Sequence, residues 1–262
     1  MESCLKLVAR LFFVFIPIFA SGIPTPNGHA FSPGEKLTYR VQWGIFPAGK
    51  IVLEFSPFAS VDAVPCYHFV MTAETNSFVD NFFKVRDRYE SFIDLNMRNS
   101  LLFKKKQHEG KLKTDIVVKF DWENQTTTYS NFNRDLLTLS IFPGSFDPLS
   151  FFYKLRNQEF TVNQEYLLPV ADGKEAFLGK VRITKKCKIK TRLGKYVTYL
   201  VEPDMESYGW IFRQTQKTKL KIWFSDDENK FPVKFSTRVT FGRFTCELVA
   251  VEKLNRQAIE TK

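Results

Sequence analysis

Three adjacent carboxylates form the first feature of the sequence that could do chemistry. Asp226, Asp227 and Glu228 follow a tryptophan, and such a cluster could hold a metal ion or transfer protons. A Ca²⁺ loop of the EF-hand type needs glycine at its sixth position, which Phe231 occupies here. Apolar and polar residues alternate on both sides, and aspartate is favoured in turns. We predict a hairpin turn, with Pro232 opening its second strand, and no metal or catalytic site.

A basic stripe is the second feature. In residues 177–194 apolar residues of one parity alternate with cations of the other, namely Arg182, Lys186, Lys188, Lys190 and Arg192. Five cations on one strand face could bind phosphates or anionic sugars. The favoured interpretation is a solvated outer face on which lysines prevent edge pairing. Both interpretations stay open.

The motifs of nucleophilic catalysis are absent from the sequence. No G-x-S-x-G occurs. Cys66 and His68 share strand parity, but that is an ordinary outcome within a strand. The separation of a glycosidase carboxylate pair is not visible in a sequence. We therefore predict a protein that is not an enzyme and that uses no cofactor or metal.

The N-terminus has the three-part pattern of a secretory signal peptide. Lys6 and Arg10 precede an apolar run over residues 11–20, and small residues follow. A membrane span needs about 20 apolar residues, so the run is short for one, although an uncleaved anchor stays the alternative. We expect residues 1–20 to be removed and the chain to be soluble outside the cytoplasm. Nucleic acid is then not an expected partner.

Net charge and cysteine content indicate which partners and which disulfides an exported chain of this sequence could have. The chain has 38 Lys and Arg against 28 Asp and Glu, and a basic exported protein could contact an anionic membrane surface or cell-wall polymer. Solubility alone is the favoured explanation of the excess charge. Cys66, Cys187 and Cys246 follow the signal peptide, and their odd number allows at most one internal disulfide among three possible pairings.

Alternation of period two runs through most of the remaining chain. It predicts an all-β fold of about a dozen strands that are joined by short turns. We expect these strands to form one highly curved antiparallel sheet, either a β-spiral or a half-barrel. We expect an extended lead-in over residues 21–33, one β domain over 34–254 and a tail over 255–262.

One segment, residues 145–157, departs from this alternation. Asp147 is a favoured helix N-cap and Pro148 is favoured at the first helical position. Apolar residues then recur at helical spacing, and cations stand in the last turn. We predict one short α-helix that packs inside the curved sheet and lines or closes its hollow with Phe151, Phe152 and Leu155.

Four stretches together resemble a known family. They are GEKLTYRVQWGIFPAGK (34–50), VRDRYESFID (85–94), DPLSFFYKLR (147–156) and WFSDDENKFPVKF (223–235). In this order they resemble the bacterial exported domain-of-unknown-function family DUF3108, with departures in the loops and in 174–195. The resemblance implies a periplasmic protein whose twisted sheet wraps a helix. Its fold would be similar to β-spiral envelope-integrity proteins and to lipoprotein carriers, which hold acyl chains in a half-barrel.

Two functional hypotheses follow. The first is a non-enzymatic periplasmic envelope protein that binds a lipid, a lipoprotein or another hydrophobic or anionic component in the hollow of the sheet. The alternative is a scaffold or adaptor for envelope proteins or cell wall that uses its surface, including the basic stripe, and has no ligand cavity. The resemblance carries over no catalytic residues, and a shared fold does not fix a function.

Overall fold

The computed structural model describes residues 29–204, 220–239 and 242–253, with the side chains at 57, 58 and 239 excepted. The predicted signal peptide, residues 21–28 of the lead-in and the C-terminal tail lie outside the described residues. Among the residues described, no helix has the length and apolar character needed to cross a membrane.

Fourteen strands of the described chain form one antiparallel sheet. Its order is β8-β7-β6-β5-β4-β3-β2-β1-β14-β13-β12-β11-β10-β9, so β8 and β9 are the edges. The strands are β1 Lys36–Trp43, β2 Phe46–Val61, β3 Val64–Thr75, β4 Arg86–Asp94, β5 Ser100–Glu109, β6 Leu112–Asp121, β7 Thr126–Asn131, β8 Arg134–Ser140, β9 Glu165–Ala171, β10 Ala176–Thr191, β11 Gly194–Pro203, β12 Leu220–Ser225, β13 Pro232–Val239 and β14 Gly242–Glu252.

Two helices of the described residues accompany the sheet. The short α1 (Ser77–Asp80) joins β3 to β4, and α2 (Pro148–Arg156) lies in the connection between the two edge strands. The predicted all-β class, with one curved antiparallel sheet wrapping a helix, is confirmed. Curvature is evident from α2, which contacts β3, β4 and β9. The ring of Phe152 in α2 also lies 5.9 Å from those of Phe224 in β12 and Phe235 in β13.

Sequence parity decides which side chains enter this core. In β1 the side chains of Leu37, Tyr39 and Val41 are buried, whereas the polar residues between them stay half-buried. Pairing of Tyr39 with Ile51 and of Leu37 with Leu53 puts apolar residues of β2 on the same inner face. A one-residue slip would exchange the two faces, so burial fixes the register.

Strand direction gives the sheet two distinct ends. Because neighbouring strands are antiparallel, successive connections alternate between the ends. The α1 end carries α1 and the turns at residues 44–45, 110–111, 132–133 and 172–175. The α2 end carries the turns at 62–63, 95–99, 122–125, 192–193 and 226–231, and two of these contact α2 through Met97 and Asn229.

Candidate functional site

Asp147 holds the N-terminus of α2 against the sheet. Its Oδ1 accepts hydrogen bonds from the backbone N–H groups of Leu149 (2.9 Å) and Ser150 (3.0 Å), as an N-cap does. Its Oδ2 accepts from the hydroxyls of Ser91 in β4 (2.6 Å) and Ser100 in β5 (2.7 Å). Burial raises the pKa of this carboxyl, against the lowering effect of the hydrogen bonds. Pro148 follows at the first helical position.

Arg156 fixes the other end of α2. Its guanidinium donates to Glu35 through Nη1 to Oε1 (2.5 Å) and Nη2 to Oε2 (3.2 Å), and both side chains are fully buried. Nη2 also donates to the carbonyl of Asn229 (2.9 Å), so the turn between β12 and β13 is held to the helix. The guanidinium lies 5.3 Å from the centre of the Phe31 ring. The sequence pattern indicated only cations in the last helical turn, because Glu35 lies 121 positions from Arg156 along the chain.

The three predicted hollow-lining residues lie inside the sheet. Phe151, Phe152 and Leu155 have exposed fractions of 0%, 5% and 1%. They are therefore covered by other protein groups and present little surface to a ligand in this conformation. Their part in ligand binding stays a prediction.

A polar cluster on β4 and β5 is a candidate site that the sequence analysis missed. Tyr89 OH donates to Asp87 Oδ2 (3.1 Å), and Gln107 Nε2 donates to Tyr89 OH (2.9 Å) and to Glu109 Oε1 (2.6 Å). The backbone N–H of His108 donates to Asp87 Oδ1 (3.0 Å). All four side chains are buried. We call this group the Asp87–Glu109 cluster.

Two carboxyls of the Asp87–Glu109 cluster share one environment. Gln107 connects them, since it donates to Glu109 directly and to Tyr89, which in turn donates to Asp87, and burial raises the pKa of Asp87. Burial also holds the pKa of Tyr89 well above its usual range. A carboxyl with a raised pKa keeps its proton to higher pH, so Asp87 can donate as well as accept a hydrogen bond inside the cluster.

The alternation of residues along β4 and β5 indicates this cluster in the sequence itself. Asp87 and Tyr89 share the parity of the buried Ile93 in β4, and Gln107 and Glu109 share that of the buried Phe103 in β5. Polar residues on the buried parity of two neighbouring strands are the sign of an internal polar site.

The basic stripe is exposed but partly neutralised. All five of its predicted residues are exposed. Arg182 pairs with Glu165, its Nε lying 2.7 Å from Oε1, and Lys186 Nζ lies 2.5 Å from Asp226 Oδ2. The side-chain cations of Lys188, Lys190 and Arg192 form no ion pair within 4.0 Å in the part of the chain that the structure describes, although the backbone N–H of Arg192 donates to Glu247 Oε1 (2.8 Å). The available charge of the stripe is therefore concentrated at the α2 end.

The acidic cluster forms the turn between β12 and β13. Asp227 Oδ1 accepts from the backbone N–H groups of Asn229 (2.9 Å) and Lys230 (3.1 Å), which is the hydrogen bonding of an Asx turn. Asp226 donates its backbone N–H to the carbonyl of Val197 (2.9 Å), and Pro232 begins β13. Turn geometry and one ion pair account for both aspartates.

The three cysteines among the described residues form no disulfide. Cys66 and Cys246 are buried, Cys187 is half-buried, and all three are free thiols. Burial raises the pKa of the Cys66 and Cys246 thiols, which makes them poor nucleophiles.

Comparison with known proteins decides the family. The family model described as "Protein of unknown function (DUF3108)" matches residues 38–249, which is most of the chain. The chain belongs to the DUF3108 family. This confirms the resemblance that the four sequence stretches indicated. A search of curated proteins finds no match for this DUF3108 chain.

One solved structure similar to the DUF3108 chain is a β-barrel-like protein of the domain of unknown function DUF1849 from Brucella abortus. The two superpose with a TM-score of 0.55 at 13% sequence identity, and the match covers 84% of this chain and 98% of that one. A likeness at this identity shows a shared fold alone. This shared fold is consistent with the fold-level similarity that the family resemblance implied.

Proposed function

We propose that this DUF3108 chain is a non-enzymatic, exported protein of the bacterial periplasm that acts as an adaptor through its surface. The contrast between interior and surface carries this proposal. The aromatic residues around α2 are covered by protein, whereas cations of the basic stripe are exposed and unneutralised. Export is supported by the signal-peptide pattern of residues 1–20.

The partner of this surface is an anionic envelope component. Lys190 and Lys195 are directly opposite each other in the pairing of β10 with β11, and Lys188 and Arg192 lie on either side. Like charges opposite each other destabilise a sheet, so this arrangement favours an anion that bridges the two strands. Phosphate or carboxylate groups of a cell-wall polymer or lipopolysaccharide have the required charge.

Charge reversal tests the adaptor proposal. We expect K188E/K190E/R192E to lose binding to purified, lipid-free sacculi in a sedimentation assay. The wild-type interaction should weaken as salt rises, because exposed charges are screened. A matched control is K104E/K106E, which reverses two exposed cations of β5. Equal binding by wild type and K188E/K190E/R192E would contradict the proposal.

Ligand binding in the hollow is the second candidate, and the Asp87–Glu109 cluster favours it. Two buried carboxyls on neighbouring strands are unusual in an apolar core, and they would hydrogen-bond the polar end of a lipid or lipoprotein that entered the hollow. Native mass spectrometry of protein purified from periplasm, followed by lipid extraction, tests this. A bound mass that D87N/E109Q loses and K188E/K190E/R192E keeps would support the hollow. Wild-type protein that carries no ligand would contradict it.

A further inference from the structure

Large apolar side chains are concentrated on the connections at the α1 end of the sheet. The exposed fractions are 81% for Ile45, 61% for Phe46, 63% for Phe78, 59% for Phe82 and 62% for Phe132. Leu112 beside the 110–111 turn is exposed as well. These residues come from four successive connections at one end, and we call them the α1 rim. An exposed apolar group of this size marks an interaction surface.

Part of the α1 rim is rigidly built. The Asn76 side chain accepts from Val79 N–H (2.9 Å) at the start of α1 and donates to the carbonyl of Pro47 (2.7 Å) in β2. Asn76 N–H also donates to the carbonyl of Ala48 (3.0 Å). Asn76 thereby joins α1 to the strand that follows Phe46. The rings of Phe78 and Phe82 stand 5.6 Å apart, so the connection between β3 and β4 presents two aromatic groups together.

Phe132 is held in an unfavourable backbone conformation. Its φ is 50°, and that of Asn133 is 59°. The left-handed region suits asparagine or glycine but is disfavoured for a bulky side chain. The exposed ring of Phe132 gains little from packing in return. Strain kept at an exposed position is a sign of function.

Positive charge surrounds the apolar side chains. Lys84 follows α1, and Lys111 and Lys113 flank Leu112, all three exposed. None of them lies within 4.0 Å of an acidic group among the described residues, whereas Asp80 of α1 is neutralised by Arg86 at 2.5 Å. Apolar side chains with cations beside them match a lipid surface, whose headgroups are anionic and whose acyl region is apolar.

We infer that the α1 rim docks on an anionic lipid bilayer. The aromatic side chains enter the boundary between headgroups and acyl chains, and Lys84, Lys111 and Lys113 lie over the headgroups. The stripe cations Lys188, Lys190 and Arg192 are at the opposite end of the sheet and stay free for another partner. Bilayer docking does not depend on the adaptor proposal, because it uses different residues.

Vesicle flotation tests the inference with the full chain after signal removal. We expect the protein to float with vesicles of equal phosphatidylglycerol and phosphatidylcholine and to bind vesicles of phosphatidylcholine alone much less. F78S/F82S should lower the partition coefficient about tenfold or more, because two phenyl rings are no longer transferred from water into the bilayer. K111E/K113E should lower it about 25-fold or more, since each lysine near an anionic surface contributes about fivefold.

V64S/L193S is the matched control. It removes two exposed apolar side chains at the α2 end and should leave partitioning unchanged. Because all these positions are exposed, circular dichroism should show folded protein in each case. F78S/F82S should still sediment with sacculi, and K188E/K190E/R192E should still float, so the two proposals fail separately. Equal flotation by wild type and F78S/F82S would overturn bilayer docking. Loss of a co-purified protein from F78S/F82S with vesicle binding intact would assign the rim to a protein partner instead.

Discussion

Lys186 Nζ lies 2.5 Å from Asp226 Oδ2, so the basic stripe and the acidic turn, the two sequence features with possible chemistry, contact each other. The hydrogen bond to Asp226, with a second to Tyr199, raises the pKa of Lys186. The acidic turn therefore neutralises the middle of the basic stripe and restricts its available charge to the α2 end.

Removing the Asp226 charge should strengthen anion binding by the stripe. In D226N the Lys186 ammonium loses its counter-charge and joins Lys188, Lys190 and Arg192. We expect tighter sedimentation with sacculi and a steeper dependence on salt. The melting temperature should change little, because exposed ion pairs add little stability. Weaker binding by D226N would show that Asp226 itself contacts the partner.

The buried pair of Arg156 and Glu35 should be a principal determinant of stability. R156M leaves the Glu35 carboxylate buried without its cation, and we expect a loss of about 3–5 kcal/mol in the free energy of unfolding. Urea unfolding measures this. In E35Q/R156M no charge is left unpaired, so part of the loss should be recovered.

An exposed ion pair supplies the control for that prediction. R182M breaks the contact of Arg182 with Glu165 at the surface and should shift the urea midpoint little. Similar losses from R156M and R182M would contradict the importance of burial.

The Asp87–Glu109 cluster should make stability depend on pH. Burial raises the pKa of Asp87 above its ordinary value of 3.8, so the folded chain keeps a proton that the unfolded chain releases. Stability from this group is present below pH 3.8 and is lost as pH rises toward the raised folded value. D87N, which cannot ionise, should remove this contribution in melting curves measured across pH.

An acid with a lowered pKa should make stability depend on pH in the opposite direction. Hydrogen bonds from Asn124 lower the pKa of Asp121, so its contribution is present above the ordinary aspartate value and is lost as pH falls through the lowered value. D121N should therefore reduce stability near neutral pH more than in acid.

A D87N profile that matches wild type would show that the Asp87 pKa is not raised in the folded protein.

Local sequence patterns predicted much of the fold. Alternation indicated the strands because one face of the sheet is buried, and the sequence Asp147-Pro148 marked the start of α2 because capping needs only neighbouring residues. The short α1 was not predicted, since its four residues contain no full apolar period.

Long-range relationships were the part that could not be predicted. Glu35 and Arg156 are separated by 121 positions, and only the folded sheet brings them together. Cross-strand register likewise brings Gln107 to Tyr89 and Asp87. The α1 rim depends on which connections share an end, and that follows from strand count and direction over the whole sheet.

Phe132 offers a prediction in which stability and binding move in opposite directions. Glycine adopts the φ of 50° without strain, so F132G should raise the free energy of unfolding by about 0.5–1 kcal/mol. The same change removes an apolar ring from the α1 rim and should lower vesicle partitioning. Ala63 in the turn at the α2 end has a φ of 66° and supplies the control. A63G should stabilise the protein without affecting vesicles, whereas destabilisation by F132G would show that the ring packs against the protein.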